Sequence, residues 1–564
     1  MKSISGKNWE ELNLSDRLIQ KAKIDHNFTD IQSKLIISRN FTHEEIFSIK
    51  NSVNFNNPFT KSGDFLSAIK LLKKNIINKS SILVIGDYDV DGCLSTSLMV
   101  NFLKKNKSKV SYYIPDRFKD GYGVSEKLIK KLIKLYNPQF VIFLDCGSNS
   151  YQALKFVKSK NIGSLIIDHH NTQKPYPISD VFINPKKKIV YEKFDYFCTV
   201  FLTYLFLDLY IKKNKLNLSI KDQQIYVILG TVADVMPIRG INRFLAIKIL
   251  KNFDINKNFV FDNFFKILNI KRKIEIDDLG YLIAPIINSA GRLDNANQIV
   301  ELFTTNSNRH KINILSKIYN LNKKRKLIEH IFFKNFNFNS LINQKGILFI
   351  HNVNIPEGII GIVASRFKEY FNKPCIVFTN SNKIIKGSAR STPDFNIGEY
   401  IQKAFNEKIL ISGGGHNLAA GVSLLKSKII LFKRFLDNFY NKKLNSLQNL
   451  YVSKISINSI NKKFLNQIEL LGPFGNGNAR PSFLIEKIKI IKPKIIKEKF
   501  ISCFIIKNNK IIKAISFNHL NTSISYEILN SKNEFDIIVN IKENKWNGKS
   551  SIQLEIIDLI KSAN

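Results

Sequence analysis

Residues 81–92 read SILVIGDYDVDG: a short apolar run that breaks into three aspartates, Asp87, Asp89 and Asp91, before a glycine. Six apolar or small residues closed by turn-forming ones predict a buried strand. Outward from it the pattern repeats. Residues 65–77 and 93–105 carry helical spacing, and 110–114 read as a strand. FVIFL at 140–144 is a second apolar strand that ends in Asp145, followed by a helix over 151–160. SLII at 164–167 is a third, and it ends in Asp168, His169 and His170. Apolar strands alternating with helices predict βαβ units and a parallel sheet covered on both faces.

Open parallel sheets bind ligands at the carboxyl ends of their strands. Here those ends carry carboxylates and imidazoles, and a helix predicted over 223–233 adds Asp234. So many acids at one sheet edge repel one another unless cations neutralise them. Oxygen and imidazole donors without thiolates suit Mn²⁺ or Mg²⁺. A pair of such ions can acidify a water and stabilise the leaving oxygen of a phosphate ester. Metal-dependent phosphodiester chemistry is therefore the expectation. Taken singly, each aspartate would read as a loop or helix cap.

At 564 residues the chain exceeds what one core serves, so several domains are expected. Residues 1–60 form an N-terminal segment with no recognisable chemistry, and the parallel-sheet domain takes 61–305. A connecting helix follows over 306–340, and βα character resumes over 341–440. The strand-rich stretch 451–562 predicts a small β-barrel. No apolar run is long enough to span a membrane, and the N-terminus lacks a signal-peptide pattern, which predicts a cytoplasmic protein. The five cysteines form no CxxC pair, which argues against a zinc ribbon or a disulfide framework. Cys146 reads as a small buried residue rather than a nucleophile, and GKSS at 548–551 lacks the upstream glycine of a P-loop. The net charge of +41 suits a polyanionic partner. A lysine-, isoleucine- and asparagine-rich composition yields the same excess, so charge alone selects no partner.

GDYDVDG (86–92), DCG (145–147) and IDHHN (167–171) resemble the DHH phosphoesterase superfamily, and GGGHNLAAG (413–421) resembles its DHHA1 domain. PDRFKDGYG (115–123), NSAGRLDNA (288–296), EGIIGIVASRF (357–367), KGSARS (386–391) and GPFGNGNARPSF (472–483) are similar to the RecJ-type single-strand exonucleases within it. The resemblance spans about residues 60–560. It implies a multidomain α/β protein: a parallel-sheet DHH domain, a helical connector, an α/β DHHA1 domain and a C-terminal OB-like barrel.

It implies one metal on Asp89 and Asp145, and a second on Asp91, Asp145, His169 and Asp234. Asp87 stands beside the first, as a ligand or as a partner of one. His170 is expected at the scissile phosphate, with Asp168 orienting an imidazole. Arg117, Arg292, Ser388, Arg390, His416, Gly414 and Gly415 are expected to hold the nucleic-acid backbone and its 5′-phosphate. Arg292 reads as following a glycine turn, and GGGHNLAAG also fits a plain strand-to-helix corner. Phe474, Phe483 and Trp546 fit either base stacking or a barrel core. The activity implied is 5′-to-3′ exonuclease action on single-stranded DNA in recombination and repair. The expected protein is a monomer that works beside a helicase and a single-strand-binding protein. An oligoribonucleotide or cyclic-dinucleotide phosphodiesterase is the competing enzyme reading, and a non-catalytic scaffold the third. The stretch HNVNIPEG (351–358) departs from the family pattern and puts a substrate contact there in doubt.

Overall fold

ILVI, FVIFL and SLII become the three central strands of a five-stranded, wholly parallel sheet. Its order is Val110–Tyr113, Ile82–Ile85, Phe140–Leu144, Gly163–Ile167, Val181–Ile183. Every residue of Ile82–Ile85 and Phe140–Leu144 is buried, as a sheet sandwiched between helices requires. Leu83, Val141 and Phe143 pack with Leu128, Ile129 and Leu132 of Glu126–Tyr136 and with Leu154 and Val157 of Tyr151–Ser159. Each such side chain contributes about 1.5–3 kcal/mol on burial. On the chain's first crossover, Val90–Lys105 is buried almost throughout and packs on Thr199–Lys213, which is buried along most of its length too.

This computed structural model describes residues 1–562 apart from 54, 122, 188–192, 343, 345, 382–383, 441–448, 499, 518–521, 531 and 547–548, and not the side chains of 342, 546 and 549. The chain divides into two units, Pro58–Gly230 with Gly280–Asn445, and Met1–Asn57 with Thr231–Leu279 and Ser446–Asn564.

Besides the parallel sheet, the first unit holds the long helix Asn308–Asn335, about 42 Å at 1.5 Å per residue. It also holds a second sheet of order Ser412–His416, Ala419–Leu424, Ile384–Arg390, Cys375–Ser381, Leu348–His351. Only the last two of these strands run parallel.

In the other unit, Ser482–Ile496, Phe500–Lys507, Lys510–Phe517, Lys549–Lys561 and Phe535–Trp546 pair in turn, and the last returns to the first. That closes a five-stranded barrel, which leaves no free edge in the ring. Residues 1–57 belong to this unit rather than forming a separate segment. Phe28, Leu35, Ile36, Phe41 and Ile49 share one core with Ile485, Ile501, Ile537 and Leu554 of the barrel. The stretch Thr231–Leu279, expected within the sheet domain, falls here too. Arg239 donates to Glu45 from Nε and Nη2, both at 2.7 Å, and to the carbonyls of Arg39 and Asn40. Among the described residues no helix is long and apolar enough to cross a membrane.

Candidate metal centre and phosphate-binding site

The strand Ile82–Ile85 has Val110–Tyr113 on one side and Phe140–Leu144 on the other, so the strand order reverses there. That reversal leaves a crevice at the carboxyl ends. Asp87, Asp89 and Asp91 follow this strand, Asp145 the next, and Asp168, His169 and His170 the one beyond. Asp145 sits in the left-handed region, φ 60°, unusual for a residue with a side chain, and its amide donates to Ile167 O at 3.1 Å. Ligand atoms of Asp87, Asp89 and Asp145 lie within 4.8 Å of one another, and so do those of Asp145, His169 and His170. Asp145 is common to both groups. His169 Nε2 is 3.4 Å from Asp145 Oδ1 and 3.9 Å from Asp91 Oδ2.

These groups are held from behind. Asp91 accepts from the amides of Thr199 (2.6 Å) and Val200 (2.7 Å) at the start of Thr199–Lys213, and Thr199 Oγ1 donates to Asp145 Oδ1 at 2.9 Å. A helix N-terminus favours a carboxylate there. Asp89 caps Val90–Lys105 by accepting from Gly92 N. Asp168 contacts His170 Nδ1 at 2.7 Å and accepts from the amides of Ser148, His169 and His170. The imidazole it orients is thus that of His170. Asn184 Nδ2 donates to His170 O and to Ser148 Oγ. The helix Gln224–Ala233 passes Asp91 at Gly230, where a methyl group would stand 3.1 Å from Asp91 Oδ1. Asp234 follows one turn later.

The electrostatics fit divalent cations. Burial, then the charge of Asp89, pushes the carboxyls of Asp87 and Asp91 up to about 7. Burial and the neighbouring aspartates push Asp145 well above the carboxylate range. Asp168 goes the other way. Burial opposes its ionisation, but the charge and hydrogen bond of His170 prevail and hold it low. Burial and His170 bring His169 down to about 3, which keeps it neutral and able to ligate. Buried acids that resist ionisation beside a neutral imidazole form a donor set that a divalent ion completes.

A second group is cationic. The Arg117 guanidinium lies 4.1 Å over the ring of Tyr88. Arg292 donates to Gly358 O at 2.9 Å, and Arg390 to Ser388 Oγ at 3.0 Å. Gly361 opens the helix Ile360–Phe371, and a methyl there would meet Arg390 Nη2 at 2.9 Å and Ser388 Oγ at 3.0 Å. Burial, then Arg117 and Arg390, brings Arg292 down to about 9; burial and Arg117 lower Arg390. Crowded guanidiniums beside a helix N-terminus suit a phosphate. His416 ends the exposed edge strand that carries Gly414 and Gly415. Its ring stacks 5.9 Å from that of His170, and Asn171 Nδ2 lies 3.4 Å from its Nδ1.

Two local expectations change, and one left open is decided. Gly291 is not a turn: it lies inside the helix Ala284–Leu293, where a methyl would stand 2.5 Å from Tyr88 O. GGGHNLAAG is a β-hairpin, not a strand-to-helix corner, because Ser412–His416 pairs antiparallel with Ala419–Leu424. Phe474 and Phe483 fill the barrel core rather than offering stacking faces, at 8% and 0% exposure. The Trp546 side chain lies outside the described residues. Cys146 is buried, which pushes its thiol well up. In the divergent stretch, Glu357 pairs with Lys386 at 2.9 Å and Gly358 receives Arg292, so the segment braces the arginine. Thr199, Ser148, Asn184 and Tyr88 escaped the sequence reading. Of these, Tyr88 alone had a signal, an aromatic ring between two acids.

Three family models match in chain order: the DHH family N-terminal domain over residues 81–231, the DHHA1 domain over 344–442 and the RecJ OB domain over 453–558. The single-stranded-DNA-specific exonuclease RecJ of Haemophilus influenzae is 28% identical over 525 residues, covering 88% of this chain and 90% of the relative. RecJ of Bacillus subtilis is 25% identical over 551 residues, covering 94% and 68% respectively. The crystal structure of RecJ in complex with Mn²⁺ from Thermus thermophilus superposes with a TM-score of 0.82 at 19% identity, over 99% of this chain and 80% of that one. That likeness establishes a shared fold.

Proposed function

We infer that this chain, which belongs to the DHH/DHHA1 phosphoesterases and carries the OB domain of their RecJ branch, is a metal-dependent exonuclease that shortens single-stranded DNA from its 5′ end. One observation carries the reading: Asp145 is shared by two clusters of buried and half-buried carboxylate and imidazole ligands at the sheet's switch point. The donor set, all oxygen and nitrogen, supports Mn²⁺ or Mg²⁺. Asp89 and Asp145, with Asp87 beside them, would hold one ion, and Asp91, Asp145, His169 and Asp234 the other. When bound, the ions acidify a water and offset charge developing on the phosphate.

The protein's own groups supply the rest. Asp168 holds Nδ1 of His170, so that an imidazolium there would present its Nε2–H to a phosphate oxygen. Thr199 and the amides behind it keep Asp145 and Asp91 from turning away as the charge on them changes. Arg117, Arg292, Arg390, Ser388 and His416 are proposed to receive the 5′-terminal phosphate and the next backbone phosphates, with the Gly414–Gly415 strand open beside them. Fixing the 5′ end there sets the direction of digestion. The barrel, basic on its strands, would hold the trailing strand. The setting proposed is cytoplasmic recombination and repair, by a monomer that follows a helicase and a single-strand-binding protein.

The test uses Mn²⁺ and single-stranded DNA labelled at one end, beside duplex and RNA of the same sequence. Mononucleotides released from the 5′ end of the single strand alone meet the expectation. Turnover confined to short RNA or cyclic dinucleotides overturns it.

A further inference from the structure

We propose that Asn476, at the tip of the GPFGNGNARPSF stretch, is a positioning residue for the metal ligand Asp234; the proposal rests on the reading of Asp234 as a ligand. Asp234 leaves its helix at the carboxyl end, and the next residue, Val235, has φ 56°. A β-branched side chain is disfavoured in that region, so the turn needs an external hold. Its own backbone gives two bonds, Met236 N to Thr231 O at 2.9 Å and Val235 N to Val232 O at 3.2 Å.

The remaining hold comes from more than 200 residues away in sequence. Asn476 Nδ2 donates to Val235 O at 2.5 Å, and Asn476 O accepts from Ile238 N at 2.7 Å. One residue therefore grips the turn on both sides. Gly475 packs so closely that a methyl would meet Ile238 Cγ1 at 2.7 Å, and Gly477, at φ 70°, lies against Pro237 and Arg239.

The hairpin that presents Asn476 is itself braced. Gly475 and Asn478 exchange backbone bonds of 2.9 and 3.1 Å. Asn478, fully buried, donates to Leu471 O and Pro473 O and accepts from Arg39 Nη1 at 2.6 Å. A rigid hairpin clamped onto a strained turn orients the carboxylate that precedes it. This gives the asparagine-glycine stretch the task of holding the turn that follows Asp234.

The experiment counts Mn²⁺ bound by the full chain, by calorimetry and by electron paramagnetic resonance, for Asp234→Asn, Asn476→Ala, Asn476→Asp and Val235→Gly. Asp234→Asn should lose one of two ions. Asn476→Ala should weaken that same ion about tenfold, as loss of a supporting partner does. Its kcat should fall and return with excess Mn²⁺, while the KM for DNA and a cooperative melting curve are kept. The isosteric Asn476→Asp, which replaces the donor by a charged acceptor facing Val235 O, should weaken the ion at least as much and guards against misfolding of the alanine variant. In Val235→Gly, where glycine takes the turn without strain, Asn476→Ala should cost no more than about threefold. Unchanged Mn²⁺ binding in both Asn476 variants, or an undiminished effect in Val235→Gly, overturns the positioning role. Two ions retained by Asp234→Asn would instead refute the ligand assignment beneath it.

Discussion

Two regions of this molecule bury like charges, and they resolve the conflict in opposite ways. In the barrel-bearing unit, Arg239 and Arg243 crowd around Phe41, Arg39 lies close enough to feel the charge of both, and one acid, Glu45, stands among them. Glu45, 1% exposed, accepts from Arg239 Nε and Nη2 and from the amides of Thr42 and Gly240. Arg243 donates to Ser48 Oγ and Leu470 O, and Arg39 to Asn478 Oδ1 and Ala479 O. That conflict is settled inside the protein. At the sheet edge, Asp87, Asp91 and Asp145 lie side by side; burial and mutual repulsion push the first two carboxyls up to about 7 and the third well above the usual carboxylate range. Charge settled internally marks a structural joint, whereas charge left over marks a place for a ligand.

The comparison breaks most visibly at Asp145. Asp145→Asn should lower kcat by at least about 10³-fold, roughly 4 kcal/mol of transition-state stabilisation, with single-strand binding changed less than about threefold. The same substitution should raise the melting temperature of the metal-free protein above pH 7, since it removes a buried repulsion. Glu45→Gln should do the reverse. Stranding Arg239 and its neighbours should cost about 3 kcal/mol by denaturant unfolding and leave turnover per folded molecule intact.

The pH dependence of Mn²⁺ stabilisation sharpens the contrast. Asp87 and Asp91 are raised to about 7 from an ordinary 3.8. Between those values the metal-free folded state keeps protons that the unfolded state has released, so their contribution to stability falls as pH rises through 4 to 7. Mn²⁺ displaces those protons. The melting shift it produces should therefore be larger at pH 8 than at pH 5, and an equal shift at both would contradict the assignment. The smallest effect concerns the second cationic group. Arg390→Ala should raise the KM for 5′-phosphorylated DNA about tenfold and reduce the preference over 5′-hydroxyl ends, with kcat held.

What the sequence made legible is what local pattern encodes. Strands at 82–85 and 140–144 were visible because a buried parallel strand is apolar throughout, and the acids after them because strand ends bind ligands. The partners of those acids were not visible. Thr199 reaches Asp91 across 108 residues, and nothing around it distinguishes a helix start from one that supports a ligand. Arg239 and Glu45 are 194 residues apart, so the exchange of Thr231–Leu279 into the other unit left no composition break. Gly291 looked like a turn because glycine usually is one. Its true constraint, the carbonyl of Tyr88, lies on another element.

The tie between residues 3–9 and Asp558 bears on the order in which the barrel unit can fold. Asp558, on the last barrel strand, is fully buried and accepts from Ser3 Oγ, Ser5 Oγ and Trp9 Nε1. The parallel sheet draws all its strands from residues 82–183 and can close while the ribosome is still at work. The barrel unit must wait, because Ser3, Ser5 and the Trp9 indole meet Asp558 only when the last strand emerges. Until the residues from Tyr451 onward are made, Trp9 and the apolar faces of the second and third helices lack the core they share with them. The interval between synthesis of the first helix and of the last strand is thus when this chain is most exposed to aggregation, and when a chaperone has most to do.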